Sequence, residues 1–373
     1  MSRRLGVAVS VTLLVFAVGM ASAACGMPVA SGASRQAKPV TVYVANCDSD
    51  TVTVIRSDSR ATAPVRVGRW PCTIAITPNG KIALVVGADP GTVTAISTAT
   101  NIASRPVRIG LVAGPIAITP DGKTAYAGDG NTVVPIHAAT GAAGKPIKVA
   151  EIPHAIAVTS DGKIAYVASD GSGTVTPIRT ADNRPGAPVK VGPHTCRPVA
   201  IAITPDGTTA YVVNEFSGTV TPINTATNRP STPIKVGYIP NAIAITPDGK
   251  TAYVLNRGSH TVTPIRTATN RPGKPISVGQ MPTAIAITPD GKTAYVTNGR
   301  SGTVTPISTA TDRPGTPIKV GQGPVALAIT PDGAIAYVVN HSSGTVTPIR
   351  TATNTTEKPI KVGRGPAAIA ITP

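Results

Sequence analysis

Close copies of PTAIAITPDGKTAYVTNGRSGTVTPI, from Pro282 to Ile307, recur along most of the chain. This stretch contains three short runs of alternating or β-branched residues, and a fourth run, Pro317-Ile-Lys-Val-Gly321, completes the unit. Pro-Asp-Gly, Ser-Gly and Arg-Pro-Gly sequences separate the runs, and such sequences are typical of turns between strands. Each unit therefore predicts four antiparallel strands, which we name A, B, C and D in chain order.

The number and order of the units predict a closed ring. The tyrosine of strand B, or its substitute, occurs eight times, at Tyr43, Leu84, Tyr126, Tyr166, Tyr211, Tyr253, Tyr295 and Tyr337. Strand A begins near Cys72, Ile116, His154, Val199, Asn241, Thr283 and Val325, and a last copy spans Pro366 to Pro373. The repeats thus start at strand B and stop after strand A, so the last strand A can pair with the first strand B and leave no open end. We predict an all-β propeller of eight four-stranded blades, with seven blades as the alternative.

Composition and strand content support this architecture over other repeat folds. Aromatic residues make up only 3% of the chain, which has 37 Gly and 37 Pro, so Ile, Val and Ala must form the core between frequent turns. A solenoid would need atypical capping units, whereas the first and last units here are ordinary. Strand C contains a proline in six units, which predicts that its pairing with strand D is short or bulged. These prolines are Pro135, Pro177, Pro222, Pro264, Pro306 and Pro348.

The strand B motif carries a family resemblance. Tyr295-Val-Thr-Asn298 and Tyr337-Val-Val-Asn340, each after Pro-Asp-Gly and before Gly-Thr-Val-Thr, resemble the YVTN family of β-propeller repeats over residues 40 to 373. The resemblance implies a propeller in exported or surface-attached bacterial and archaeal proteins, usually with seven blades. It implies no single activity, because some members are thought to bind nucleic acid and related propellers include lactone hydrolases and lyases.

Residues 1–24 have the features of a signal peptide. Arg3 and Arg4 precede an apolar run that ends at Met20, and small residues follow up to Cys25. The cleavage site suits either lipidation of Cys25, which we favour, or an ordinary signal peptidase, and a retained membrane anchor is a further alternative. Residues 25–39 are small and polar, as in a flexible tether, and residues 40–373 form the propeller. We expect an exported protein that is lipid-anchored at the outer side of the cytoplasmic membrane or secreted.

Charge and cysteine content suggest partners and a covalent link. The formal net charge of +17 attracts polyanions such as cell-wall polymers, anionic lipids or nucleic acid, and charge alone does not choose among them. Cys47 ends strand B of blade 1 and Cys72 begins strand A of blade 2, so in an oxidising compartment we predict a disulfide between them. Cys196 lies across the ring and is expected to stay unpaired.

Recognisable catalytic motifs are absent from the sequence. It has no Gly-x-Ser-x-Gly, His-Glu-x-x-His, phosphate loop or Cys-x-x-Cys, and we predict neither a metal nor a cofactor. The sequence therefore favours a monomeric binding or scaffold module over an enzyme. A lactonase-like or lyase-like site assembled from several loops at the channel mouth remains the alternative.

Departures from the repeat consensus cluster on one side of the ring. The B–C turns and D–A loops reach one face, and the opposite face repeats its basic turns almost unchanged. We predict that the first face binds a protein or an envelope polymer, with nucleic acid binding through the basic face as a further alternative. The residues predicted to bind are Trp70, His154, His194, Arg197, Phe216 and Tyr238.

Overall fold

The computed structural model describes residues 40–56, 61–111 and 113–373, which form eight antiparallel sheets. The predicted signal peptide, the lipidation site Cys25 and the tether lie outside the described residues. We number the blades so that Thr41–Asn46 is strand B of blade 1. No helix within the described ranges is long and apolar enough to cross a membrane.

The strands recur at the same four positions in every blade. Strand A spans Pro366–Ile371 in blade 1, then Pro71–Ile76, Ala113–Ile118, Pro153–Val158, Pro198–Ile203, Pro240–Ile245, Pro282–Ile287 and Pro324–Ile329 in blades 2 to 8. Strand B spans Thr41–Asn46, Ile82–Ala88, Thr124–Asp129, Ile164–Ser169, Thr209–Asn214, Thr251–Asn256, Thr293–Asn298 and Ile335–Asn340. Strand C spans Thr51–Arg56, Gly91–Ser97, Thr132–His137, Thr174–Arg179, Thr219–Asn224, Thr261–Arg266, Thr303–Ser308 and Thr345–Arg350.

Strand D consists of very short segments. Blades 1 and 2 have one each, Val65–Arg66 and Val107–Arg108. Blades 3 to 8 have two each: Ala142–Ala143 and Ile147–Lys148, Arg184–Pro185 and Val189–Lys190, Arg229–Pro230 and Ile234–Lys235, Arg271–Pro272 and Ile276–Ser277, Arg313–Pro314 and Ile318–Lys319, and Thr355–Thr356 and Ile360–Lys361. Three 3₁₀ turns, Cys47–Ser49, Asp170–Ser172 and His194–Cys196, lie in the loops.

The ring closes within blade 1. Val42 pairs with Ile371 and Tyr43 with Ala370, and the amide of Thr372 donates to the carbonyl of Thr41 at 3.0 Å. Each strand A contacts the strands A of both neighbouring blades, so these strands surround the central axis and strands D form the rim. The eight-bladed propeller is confirmed, and the seven-bladed alternative is wrong.

The pairing between strands C and D is interrupted, as predicted. In blade 4 the carbonyl of Pro177 accepts from the amide of Gly186 at 2.7 Å, so the proline nitrogen faces strand D, where no donor is required. The same interruption occurs in blade 2, where the carbonyl of Ala95 accepts from Ser104 at 2.7 Å without a proline. Proline is therefore accommodated where the pairing of strands C and D is interrupted, but it is not the cause of the interruption.

A buried tyrosine joins most neighbouring blades. The side chain of Tyr295 is fully buried, and its hydroxyl donates to Oδ1 of Asn354 at 2.7 Å in the next blade. Asn354 has a φ of 56°, a left-handed conformation that Asn tolerates better than most residues. Five further pairs repeat this bond: Tyr43 with Asn101, Tyr126 with Asn183, Tyr166 with Asn228, Tyr211 with Asn270, and Tyr253 with Asp312. The bond satisfies a buried hydroxyl and fixes how successive blades are oriented.

Antiparallel order divides the loops between two faces. We call the face formed by the B–C turns and D–A loops the variable face, and the face formed by the A–B and C–D turns the repeat face. On the variable face, in blades 1 and 4 to 8, the carbonyl of the residue before strand A accepts from an amide of the B–C turn of the same blade. For example, the amide of Asp170 donates to the carbonyl of Ile152 at 3.0 Å, and Glu215 donates to Arg197 at 2.9 Å. These bonds give the loops a defined conformation.

Candidate functional site

The residue directly before strand A adopts a left-handed backbone conformation around most of the variable face. In blades 8 and 1 this residue is glycine, Gly323 and Gly365. In five other blades a large side chain stands there, at φ values between 50° and 57°: Trp70, Ile152, Arg197, Ile239 and Met281. A non-glycine residue in this conformation costs about 1–2 kcal/mol, and a β-branched one is a true outlier. The fold needs only glycine at this position, so the large side chains require another explanation.

Exposed apolar side chains follow one another along the same face. Blades 2 to 6 each carry one large apolar residue that is more than half exposed. We call these five residues the apolar arc: Trp70, Leu111, Ile152, Phe216 and Tyr238. Elsewhere in the described ranges, Ile102 on the repeat face is the one large apolar residue of comparable exposure. A run of exposed apolar side chains confined to one face is typical of an interaction surface.

Arg197 organises the middle of the apolar arc. Its guanidinium bonds to Asp170 of blade 4 at 3.0 Å and to Glu215 of blade 5 at 2.7 Å. It also lies 5.2 Å from the centroid of the Phe216 ring, within the range of a cation–π contact. The Glu215 side chain is only 8% exposed, so Arg197 compensates a nearly buried carboxylate. The cluster joins two blades and supports the exposed Phe216 ring.

His154 lies beside this cluster and bridges the same two blades. Its Nδ1 is 3.1 Å from the carbonyl of Val199, and burial lowers the pKa of the imidazole from its ordinary value. Asn241 and Thr283, at the same position in blades 6 and 7, likewise donate to carbonyls of the next blade. His154 therefore has a structural role in addition to its position near the cluster.

The six residues predicted to bind are partly brought together. His154, Arg197 and Phe216 lie at the interface of blades 4 and 5, and exposed His194 lies in the adjoining loop. Trp70 and Tyr238 lie in blades 2 and 6, on either side of this interface along the arc.

Sequence reasoning missed two members of the arc and the two acids of the cluster. Leu111 and Ile152 could have been recognised as departures from the repeat. For Ile152 the signal is that blades 8 and 1 have glycine at the same position. Asp170 and Glu215 are separated by 45 residues in sequence, and only the pairing of both with Arg197 reveals them as one unit.

The predicted disulfide between Cys47 and Cys72 is not formed in the structure, where both are free thiols. Cys47 Sγ donates to the carbonyl of Pro71 at 3.0 Å, whereas Cys72 is the bulged residue of its strand and its Sγ is directed at the carbonyl of Val86. The two sulfur atoms are thus held by different backbone groups. Burial, with smaller contributions from Cys72 and Asp48, raises the pKa of Cys47 to about 12. Cys196 is also a free thiol, and it is buried.

The loops of the variable face are unevenly charged. In blades 1 to 5, three arginines, Arg69, Arg197 and Arg364, stand against seven acidic residues in or directly beside the loops: Asp48, Asp50, Asp89, Asp129, Glu151, Asp170 and Glu215. The corresponding loops of blades 6 to 8 contain Arg257 and Arg300 and no acidic residue. The apolar arc thus lies mainly on the acidic side of a face that belongs to a strongly basic protein. Within the described ranges, no group of three or more His, Cys, Asp or Glu residues is placed to hold a metal ion.

Comparisons with known proteins place the chain in the β-propeller class. A family described as "Lactonase, 7-bladed beta-propeller" matches residues 148–317, which is less than half of the chain. No curated protein matches.

Solved structures share the fold at low sequence identity. The hydrazine synthase of Kuenenia stuttgartiensis aligns with a TM-score of 0.63 at 23% identity, covering 76% of this chain and 96% of that one. Dihydro-heme d1 dehydrogenase NirN aligns with a TM-score of 0.76 at 15% identity, covering 88% of this chain and 74% of that one. A putative 6-phosphogluconolactonase of Bacteroides fragilis aligns with a TM-score of 0.61 at 18% identity, covering 92% of this chain and 100% of that one. At these identities the likeness establishes the fold alone.

Proposed function

We propose that the protein is a binding module that docks another protein through the apolar arc. The observation that carries the proposal is the succession of exposed apolar side chains on blades 2 to 6, two of which, Trp70 and Ile152, stand at positions with a left-handed backbone. Among the described residues, the loops of blades 7, 8 and 1 have no exposed large apolar side chain, so the arc is not required for folding. Strained residues that the fold does not need are typical of functional surfaces.

The charge around the arc specifies the kind of partner. The loops around the apolar residues carry more acidic than basic side chains, so a partner with an apolar and basic surface matches both features. A polyanion would be repelled at the same place. Aromatic and arginine side chains are also the types that contribute most to protein interfaces.

The Arg197 cluster supports binding through preorganisation. The ion pairs with Asp170 and Glu215 hold Arg197, and Arg197 in turn holds the Phe216 ring. A side chain that is ordered before binding loses less entropy when the partner docks. Phe216 is therefore the central anchor of the proposed interface.

Affinity capture from the native cell envelope tests the proposal with a matched control. The double variant Trp70→Ala, Phe216→Ala should lose specific partners, whereas Ile102→Ala should retain them. Ile102 has a similar fractional exposure but lies on the repeat face, so the control removes exposed apolar surface outside the arc. Equal capture by both variants would place the partner surface elsewhere.

Lactone hydrolysis is a second candidate, favoured by the family match over residues 148–317. That stretch contains His154, Asp170, Arg197 and Glu215, which meet at the interface of blades 4 and 5. Hydrolysis requires a base that activates water and a cation that stabilises the oxyanion. Here Arg197 occupies both carboxylates, so neither acid is available as a base without rearrangement, and we favour binding.

Purified protein offered aliphatic and sugar lactones distinguishes the two candidates. An enzyme would lose turnover in Glu215→Gln and keep it in Trp70→Ala, because Trp70 lies three blades away. Absence of turnover with every lactone would leave the binding function as the remaining proposal.

We further propose that the protein belongs to the YVTN repeat family and is exported and anchored through Cys25. The strand B motif and the signal-like composition of residues 1–24 support this. In cells, Cys25→Ala should shift the protein from the membrane fraction to the medium. Unchanged fractionation would refute the lipid anchor.

A further inference from the structure

A ring of basic residues follows the rim of the propeller. They occupy the last residue of strand D in seven blades, and all are exposed: Arg66, Arg108, Lys148, Lys190, Lys235, Lys319 and Lys361. We call this set the cationic belt. Blade 6 has Ser277 at the same position.

The belt has a constant register with respect to strand C. Lys148 pairs across the sheet with Thr132, Lys190 with Thr174, and the other members pair with the equivalent threonine of their blades. Directly opposed residues place their side chains on the same face of a sheet. Each belt cation therefore stands beside a threonine, at the same height on the rim.

The belt charges lack acidic partners in the described ranges. No salt bridge there involves a belt residue, whereas Lys163, Lys250 and Lys292 on the repeat face lie 3.4–3.7 Å from aspartates two positions earlier. Local pairing thus reduces the positive field of the repeat-face turns but not that of the rim. Within the described ranges, no ion pair compensates the positive charge of the belt.

The basic character of the belt is maintained while comparable positions vary. The last residue of strand C is also exposed in most blades, yet it changes freely along the chain: Arg56, Ser97, His137, Arg179, Asn224, Arg266, Ser308 and Arg350. In the belt, the divergent blades 1 and 2 replace lysine by arginine and keep the charge. Solubility alone would accept any polar residue at an exposed position, so it does not explain this difference.

We propose that the cationic belt binds a flexible linear phosphodiester polymer that follows the rim. Because the cations surround the ring, a flat membrane could contact only a few neighbouring members, whereas a flexible chain could contact the whole series. Five of the seven are lysines, which bind phosphate groups as compact point charges, and the other two are arginines, whose planar fork also fits phosphate. This surface is separate from the apolar arc.

A salt titration with single-stranded oligothymidylate tests the proposal. The belt variant combines Lys148→Ser, Lys190→Ser, Lys235→Ser and Lys319→Ser, each introducing the residue that blade 6 already has. The control combines Lys123→Ser, Lys163→Ser, Lys250→Ser and Lys292→Ser on the repeat face and removes the same charge. Each lost phosphate contact flattens the plot of log affinity against log salt by about 0.7, so the belt variant should flatten it by about 3. The control should change the slope by less than about one contact.

Three results would overturn the proposal. Equal flattening by both variants would show that net charge and not the belt determines binding. Equally tight, belt-dependent binding of polyglutamate would show that phosphodiesters are not selected. Belt-dependent binding of anionic lipid vesicles in place of oligothymidylate would identify a membrane surface. Trp70→Ala should leave oligothymidylate binding unchanged, so failure here is distinguishable from failure of the protein-docking proposal.

Discussion

Replacing Ile152 by glycine should stabilise the propeller, whereas replacing it by alanine should not. Ile152 has a φ of 52° and is 56% exposed, and its amide and carbonyl both make backbone hydrogen bonds. Both substitutions remove a side chain that is mostly in water, and neither removes a backbone bond. They differ only in Cβ, the atom that makes the left-handed conformation unfavourable.

The expected magnitude follows from two opposing effects. Removing Cβ at a left-handed position recovers about 1–2 kcal/mol. The greater freedom of glycine in the unfolded chain costs about 0.5–1 kcal/mol relative to alanine. Ile152→Gly should therefore unfold with a free energy about 1 kcal/mol higher than Ile152→Ala.

Urea unfolding with a paired control measures this difference. The control pair is Tyr238→Gly and Tyr238→Ala, because Tyr238 is similarly exposed but is not among the residues with positive φ. There, glycine should be the less stable of the two by about 0.5–1 kcal/mol. If glycine were no more stable than alanine at position 152, the argument from backbone strain would be refuted. Ile152→Gly should also weaken partner binding, a trade of function for stability.

The remaining predictions concern the interface of blades 4 and 5 and the thiols. Arg197→Met should lower the free energy of unfolding by about 3 kcal/mol because it leaves Glu215 buried without a partner. Adding Glu215→Gln should recover part of that loss in a double-mutant cycle, and additive effects of the two substitutions would contradict the coupling. Burial lowers the pKa of His154 below 6.5, so the unfolded chain takes up the proton first, and stability should fall as pH drops below about 6.5. His154→Asn keeps a donor and should remove that part of the acid sensitivity in melts recorded across pH. Burial raises the pKa of Cys47 to about 12 and of Cys196 to about 11, so iodoacetamide at pH 8 should label both only after unfolding, and rapid native labelling would disprove their protection.

The fold was predictable because the same strand and turn sequences recur in every unit. Turn sequences mark every strand, and eight copies of strand B fix the blade count once Pro366–Ile371 is recognised as the missing strand A of blade 1. The interruption of strand D was also predicted, but its cause was not. Blade 2 has the same interruption with Ala95 in place of proline, which only the hydrogen bonds reveal.

The site was predictable only in part, because backbone conformation and side-chain direction leave little trace in sequence. Ile152 resembles an ordinary core residue until its positive φ and its exposure are known. Cys47 and Cys72 lie on neighbouring blades as predicted, but a bulge directs the sulfur of Cys72 elsewhere. Trp70 and Phe216 could be singled out from the sequence because a rare residue type in a monotonous repeat is conspicuous without any structural knowledge.

The tyrosine bond between blades has a consequence for how such a chain can grow. Because six of the eight interfaces use the same bond, it holds successive blades in similar relative orientations, and eight blades complete one turn. A gene that duplicated one unit would encode a ninth blade with normal interfaces but nowhere to fit, because the first and last strands already pair. Ring size is thus a property of the contact surface, and a larger ring would require compensating changes at many interfaces at once. Tandem duplication, the simplest route by which repeats multiply, should therefore yield an extruded or unfolded unit in this protein.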